Sequence, residues 1–181
     1  MKNILAIILL FLSTSILTAN ERDAQLDKLF TELKKDISSS SPGIVQQIWI
    51  LWSTHPSDEK LTSILDEGSR LVQDQKLVSA IDIFTHVIEI DPTWAEAWNK
   101  RATVYYMIGE FQKSQDDIDK VLELENRHFG ALSGQGLVNI QLKNYEKAIL
   151  SYKKAQEIYP AIKSSKIMIK QIEELIKKQS I

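Results

Sequence analysis

The stretch LTSILDEGSRLVQDQKLVSAIDIFTHVIEIDPTW, residues 61–94, returns twice with a shift of 34 residues, as residues 95–128 and residues 129–162. In each copy, two small residues and one large apolar residue keep the same spacing. Copy by copy, these positions are Gly68, Ala80 and Phe84; Ala102, Ser114 and Ile118; and Gly136, Ala148 and Tyr152. A fixed period of this length is typical of an array of two-helix units.

The spacing has a physical reason in a pair of antiparallel helices. Two helices approach closely only where small side chains lie at their crossing, and the large apolar residue fills the space beside it. One pair cannot bury its apolar face alone, so neighbouring pairs must stack. The turns within the second and third copies contain Gly109 and Asn144, which tolerate the left-handed backbone conformation.

This pattern resembles the tetratricopeptide repeat (TPR) family. The residues that carry the resemblance are Trp98, Ala102, Tyr105, Gly109, Phe111, Ser114, Ile118 and Val121, then Gly136, Tyr145, Ala148, Tyr152, Ala155 and Pro160. The resemblance implies an all-α fold, a right-handed α-solenoid of antiparallel helix hairpins with about three full repeats. It also implies a concave groove, lined by the first helix of each repeat, that receives a peptide or protein segment.

Both flanks of the array are predicted to be helical. Residues 21–57 contain two apolar stripes at helical spacing on either side of a break rich in Ser, Pro and Gly. They are interpreted as an N-terminal helical hairpin or a degenerate repeat. Residues 163–181 carry a narrow apolar stripe surrounded by lysines, which predicts a C-terminal capping helix.

Residues 1–20 have the layout of a secretory signal peptide. Lys2 precedes an unbroken apolar run from Ile4 to Leu12, and a small, polar stretch follows. Cleavage is expected after Ala19, with export to the periplasm if the source is a Gram-negative bacterium and secretion otherwise. The alternative is an uncleaved membrane anchor over residues 4–17, and membrane contact is expected only if this segment is retained.

Composition argues against several other functions. The chain has no Cys and a net charge of −2, so neither thiolate chemistry nor a nucleic-acid partner is expected. The three histidines share no metal-ligand spacing, and Asp116, Asp117 and Asp119 are interpreted as a solvated helix face. The sequence therefore predicts no enzyme activity, no metal and no cofactor.

Binding of a protein or peptide is the favoured hypothesis. Residues 94–102 and 125–134 depart from an ordinary repeat, and similar tracts occur in small exported TPR proteins of alphaproteobacteria, which this chain resembles. The candidate peptide-binding residues are Asn99, Lys100, Tyr106, Arg127 and His128. The alternative is that the aromatic residues are core and the charged ones cap helices.

Two glycines belong to the same region. Gly130 and Gly134 lie inside a predicted helix, where each lowers helix stability by about 1 kcal/mol relative to Ala. They suggest that a partner or a neighbouring helix approaches closely. The TPR mode that grips a C-terminal carboxylate with Lys, Asn and Arg would use positions occupied here by Leu65, Ser69, Lys100, Gly130 and Gly134, so most of that clamp is missing.

The position before the first small residue is polar in all three copies, being Glu67, Arg101 and Gln135. The resemblance implies an apolar residue there. Arg101 is therefore expected to reach Glu67 and Gln135 in a partly buried polar ladder across the first helices.

These observations predict an exported, non-catalytic adaptor that holds a protein or peptide partner. The first alternative is a membrane-tethered structural scaffold or oligomer-forming spacer. A less favoured one is an auxiliary subunit of an enzyme complex.

Overall fold

The computed structural model describes residues 19–35 and 41–179. Within these residues the chain forms nine helices and no strand, which confirms the all-α prediction. The helices are α1 (Ala19–Lys35), α2 (Ser41–Ser53), α3 (Glu59–Gln73), α4 (Leu77–Ile90), α5 (Ala95–Met107), α6 (Phe111–Leu124), α7 (Phe129–Gln141), α8 (Tyr145–Ile158) and α9 (Lys163–Gln179). The predicted signal peptide lies outside the described residues except for its last two.

Helices α3 to α8 form three hairpins. Within each hairpin the two helices pack against one another, and the second helix also packs against the first helix of the next hairpin. Helix α3 begins at a capping residue, Asp58, whose side chain accepts hydrogen bonds from the backbone N–H groups of Lys60 and Leu61. This stacking buries the apolar face that one hairpin would leave exposed.

The turn within each hairpin uses one left-handed residue. These residues are Gln75, Gly109 and Lys143, with φ of 60°, 81° and 60°, and they follow one another at the repeat period. Asn144 was expected to take this conformation in the third repeat, which is wrong. Asn144 has φ −90° and directly precedes α8. Lys143 takes the left-handed conformation in its place, although this conformation favours glycine.

The helix crossings depend on missing or small side chains. A Cβ added to Gly68 would lie 2.4 Å from the Phe84 ring, and one added to Gly136 would lie 2.5 Å from the Tyr152 ring. In the middle repeat Ala102 takes the place of the glycine. The position of Phe84 and Tyr152 is there occupied by the smaller Ile118, which belongs to the same core cluster as Ala102. The size of one residue thus matches the size of its neighbour across the crossing.

We predict that Gly136→Ala lowers the free energy of unfolding by about 1–3 kcal/mol, because the fully packed Tyr152 ring must move. The matched control is Gly134→Ala on the same helix. There the new Cβ would lie 3.6 Å from Ile118, an ordinary contact, so the variant should gain up to about 1 kcal/mol of helix stability.

Urea unfolding of the full chain measures both variants. Adding Tyr152→Ile to Gly136→Ala reproduces the pairing of the middle repeat and should recover part of the loss. Equal effects of the two alanine substitutions would contradict the crossing argument.

The expected ladder between Glu67 and Arg101 is wrong. Arg101 donates two 2.8 Å hydrogen bonds to the carboxylate of Asp117 on α6 and one of 3.0 Å to Thr85 on α4. Glu67 is exposed. Gln135 instead donates to Asp119 and accepts from Ser151.

Arg101 and Gln135, at equivalent positions, therefore each join the second helices of two neighbouring repeats. Asp117 is buried, so its interpretation as part of a solvated face is also wrong. Burial raises the pKa of the Asp117 carboxyl even though Arg101 donates two hydrogen bonds to it.

We predict that Arg101→Gln destabilises the chain by about 3–5 kcal/mol, because it leaves a buried carboxylate without its cation. The double variant Arg101→Gln with Asp117→Ser copies the Gln135 and Ser151 pair of the next repeat. It should recover most of the loss in urea unfolding. A single variant within 1 kcal/mol of wild type, or a double variant no better than the single, would contradict this reading.

The two ends of the array are covered differently. Helices α1 and α2 form a hairpin whose core extends well beyond the first repeat. Its buried members are Leu26, Leu29, Phe30, Leu33, Ile48, Trp52 and, from α7, Phe129. Ile158 and Tyr159 at the end of α8 also pack against it. At the other end, α9 packs on α8 through Ile172, Met168, Ile169 and Ile176.

Candidate functional site

The candidate residues at the starts of α5 and α7 converge on Glu96. Its side chain is fully buried, and one carboxylate oxygen, Oε2, receives Asn99 Nδ2 at 3.0 Å and lies 3.2 Å from His128 Nε2. The Lys100 ammonium lies 3.4 Å from the other oxygen. Asn99, Lys100 and His128 are therefore held together by a carboxylate that the sequence analysis did not single out.

His128 is part of the core and not of a binding surface, which corrects its assignment as a peptide-binding residue. It is 0% exposed, and its ring stacks on Trp52 with centroids 3.9 Å apart. Its Nδ1 accepts a hydrogen bond from the Ala131 N–H and so caps α7, which leaves Nε2 to donate to Glu96. The alternative interpretation, that aromatic residues are core and polar ones cap helices, describes this residue.

Arg127 also turns toward the chain itself. Its guanidinium donates two hydrogen bonds to Glu125 and one to Asp27 of α1, and it lies 4.5 Å from the Phe30 ring centroid. Burial alone would raise the pKa of Glu125, but hydrogen bonds from Arg127 outweigh it and lower that pKa. Arg127 thus helps to hold the N-terminal hairpin against the repeats.

The N-terminal hairpin explains one of the two unusual glycines. A Cβ added to Gly130 would lie 2.6 Å from the ring of Trp49 on α2. The close approach that the sequence suggested at this position is therefore made by the chain's own hairpin. Together, the contacts of Trp49, Trp52 and Arg127 cover the end of the groove at the starts of α5 and α7.

The other glycine borders an open part of the groove. A cavity of about 90 Å³ lies between α5 and α7 and is lined by Asn99, Ala102, Thr103, Tyr106, Ser114, Ile118, Gly130, Ala131, Gly134, Leu137 and Val138. A Cβ at Gly134 would make only a 3.6 Å contact, so internal packing does not require glycine there. We call this cavity and its rim the α5–α7 groove.

The α5–α7 groove is apolar at its floor and mildly polar at its edge. Leu137 is 37% exposed, while Thr103 and Asn99 supply a hydroxyl and an amide. Of the five candidate residues, Asn99 and Tyr106 line it, and Lys100, Arg127 and His128 do not. Such a surface can receive an apolar side chain and bond to the backbone beside it.

Among residues 19–35 and 41–179, no cluster of three or more His, Cys, Asp or Glu residues is arranged to hold a metal ion. No described helix is both long enough and apolar enough to cross a membrane.

The sequence predicted the N-terminal hairpin but not its packing on the starts of α5 and α7, because Trp49 and Trp52 lie outside the repeat period. A signal was present in hindsight: two tryptophans three positions apart share one helix face, and Gly130 is an unusually small residue for the start of a helix. Nothing in the period links the two features, so only the structure brings them together.

Comparison with known proteins places the fold among repeat proteins. Residues 130–162 match the family model described as tetratricopeptide repeat. A TPR repeat-containing protein of Rhizobium etli is 28% identical over 151 residues, which cover 83% of this chain and 74% of the relative. Human sperm-associated antigen 1 is 25% identical over 121 residues, 66% of this chain but only 13% of the human protein.

Solved structures agree in fold. The first TPR domain of Spaghetti (RPAP3), bound to an HSP90 peptide, superimposes with a TM-score of 0.64 at 21% identity, covering 66% of this chain and 94% of that domain. MamA superimposes with a TM-score of 0.61 at 23% identity, covering 82% of each chain. The family model, the relatives and these structures together support the tetratricopeptide repeat family, and the described residues form an all-α solenoid of helix hairpins like those of the solved structures.

Proposed function

We propose that the chain is a non-catalytic adaptor that binds a segment of a protein partner in the α5–α7 groove. The observation that carries the proposal is Gly134. It costs helix stability, no internal contact requires it, and it borders a cavity whose lining includes the exposed side chain of Leu137. A glycine of this kind is useful where another chain must approach the helix backbone closely.

The lining of the groove favours a particular ligand chemistry. The floor is apolar and no charged residue lines the cavity, so the preferred segment carries an apolar side chain that enters beside Gly134. The Thr103 hydroxyl donates to the Asn99 carbonyl, and its oxygen can still accept a hydrogen bond from a backbone N–H of that segment. A cavity of about 90 Å³ buries little of the partner's surface, and a small interface suits a weak, exchangeable complex.

A ligand gripped by its C-terminal carboxylate is not favoured. Of the positions that correspond to that clamp, Leu65 is 0% exposed and Gly130 is covered by Trp49. Lys100 is already paired with Glu96. The Spaghetti domain carries an HSP90 peptide in its solved structure, but this chain lacks free cations at the corresponding positions.

We predict that Gly134→Leu abolishes partner binding, because the new side chain fills the cavity. Gly134→Ala should weaken binding to a smaller but measurable extent, because its one methyl group keeps the partner from approaching the helix backbone as closely. Two variants of the full chain are made for crosslinking, each with one photo-reactive benzoylphenylalanine. One replaces Thr103 in the groove, and the control replaces Val78, which is 71% exposed on α4. Crosslinking in an extract of the native host should capture a protein from Thr103 only.

Thermal melting of each variant serves as the folding control. Capture that persists in Gly134→Leu, equal capture from Val78, or no capture from Thr103 would each contradict binding in this groove.

Export is the second part of the proposal. It is supported by Lys2 and by the apolar run that follows it, and cleavage after Ala19 would retain the hydrogen bonds from Arg22 to the Leu51 carbonyl. The mature protein would then keep the contacts of the N-terminal hairpin that begin at Arg22.

We predict that protein purified from its native host begins at Asn20 or Glu21. Intact-mass spectrometry measures this directly, with the chain expressed without its first nineteen residues as a mass standard. A mass that includes Met1–Ala19 would contradict cleavage and favour the membrane-tethered scaffold.

A further inference from the structure

The space between the second helices of neighbouring repeats is filled differently along the array. Between α4 and α6 it contains Arg101, whose guanidinium is bonded to Thr85 and Asp117 and lies 5.7 Å from the centroid of the Tyr105 ring. One repeat later, Gln135 and Asn139 occupy the positions of Arg101 and Tyr105. Two large side chains are thus replaced by two shorter amides.

A cleft of about 490 Å³ lies at this second place, between α6 and α8. We call it the α6–α8 cleft. It is lined by Gln112, Gln115, Asp119, Gln135, Asn139, Leu142, Asn144, Lys147, Leu150, Ser151 and Lys154. None of these residues lines the α5–α7 groove, so the two sites lie on different faces of α7.

The floor of the α6–α8 cleft is a fixed amide network. Asn139, 5% exposed, donates through Nδ2 to Gln115 Oε1 and to the Gln135 carbonyl, and its own side-chain oxygen remains as an acceptor. Gln135 in turn donates to Asp119 and accepts from Ser151. Because these amides hold one another in place, the cleft has a rigid polar floor suited to a peptide backbone.

The α8 wall of the cleft carries two cations with an apolar residue between them. Lys147, Leu150 and Lys154 follow the i, i+3, i+7 pattern and so share one face of α8. Leu150 is 54% exposed. Neither lysine forms an ion pair with any residue in the described ranges.

The preceding repeat shows what is unusual about this wall. Its equivalent lysines, Lys113 and Lys120, are paired with Glu110 at 3.4 Å and Glu123 at 2.9 Å. Its residue equivalent to Leu150 is Asp116, which accepts a hydrogen bond from Gln112. The third repeat therefore combines an open cleft, free cations and an exposed leucine, where the second repeat has a filled space and paired charges.

We propose that the α6–α8 cleft binds an extended acidic peptide segment of a partner protein, with acidic side chains on both sides of an apolar one. Lys147 and Lys154 are about 10 Å apart along α8. In an extended chain, residues i, i+2 and i+4 point to one face and span about 13 Å, within reach of the flexible lysine side chains. The pattern Glu-x-Leu-x-Glu therefore fits Lys147, Leu150 and Lys154 in turn.

The remaining charge in the cleft sets the orientation of the peptide. Asp119 lies on the opposite wall, where Gln115 and Gln135 donate to its carboxylate. Acidic side chains of the ligand consequently face α8 and not α6. The ligand backbone lies over Asn139, whose free oxygen accepts one peptide N–H.

The test uses three fluorescein-labelled peptides with the full chain: Ser-Glu-Ser-Leu-Ser-Glu-Ser, its Lys counterpart and its Gln counterpart. Fluorescence anisotropy should show binding of the Glu peptide only, and added salt should weaken it. Replacing Lys147 and Lys154 by Gln should weaken binding roughly five- to tenfold, the worth of two exposed ion pairs. The matched control replaces Lys113 and Lys120 by Gln and should bind as wild type.

A second variant tests the shape of the cleft. Asn139→Tyr restores the residue of the preceding repeat, fills the cleft and should remove binding, with a thermal melt to check folding. If that variant does not fold, the two lysine pairs decide alone. Gly134→Leu should leave binding of the Glu peptide unchanged, which separates this site from the α5–α7 groove.

The proposal is overturned if wild type fails to bind the Glu peptide, or binds all three peptides alike. It is also overturned if the Lys113 and Lys120 variant loses as much affinity as the Lys147 and Lys154 variant.

Discussion

The helix crossings of the first and third repeats depend on residues that have no side chain. At Gly68 and Gly136 a buried aromatic ring lies where a Cβ would be, so the two helices of these hairpins can approach closely at these positions. Where Ala102 stands instead, the residue in the same core cluster is Ile118, which needs less room. The stacking of three hairpins follows from this match in size, because each crossing fixes the faces that the next hairpin must cover.

A second constraint, the burial of the Glu96 carboxylate, decides which part of the groove stays exposed. The buried Glu96 carboxylate, with His128 and Lys100 beside it, ties the starts of α5 and α7 together, and Trp52 stacks on that histidine. A buried carboxylate is stable only with such partners. Arg127 and His128, which resemble part of a binding patch in the sequence, therefore anchor the N-terminal hairpin, while the part of the groove around Gly134 remains open.

The period, the helix pairs and the crossing residues could be predicted because each is local and repeated in register. The partner of Arg101 could not, since it lies on another helix and the charge of Asp117 alone suggests a solvated residue. Yet the same spacing recurs: Arg101 bonds to residues sixteen positions away on each side, and so does Gln135. Lys143 was missed for the opposite reason, because local preference favours Asn144 while the stacking fixes the turn at the repeat period.

The repeats differ from one another at positions that keep the 34-residue spacing but hold different residue types. Equivalent positions hold Arg101 and Tyr105 in one repeat and Gln135 and Asn139 in the next, with no change in the helices that carry them. The helix crossings determine the fold. The side chains between second helices can therefore be large and fill the space, or short and leave it open. Gly130 and Gly134 make the same distinction on one helix: the first is required by Trp49, and the second is required by nothing within the described chain. In a solenoid, a residue that departs from its repeat without an internal contact to explain it is the strongest local indication of an external one.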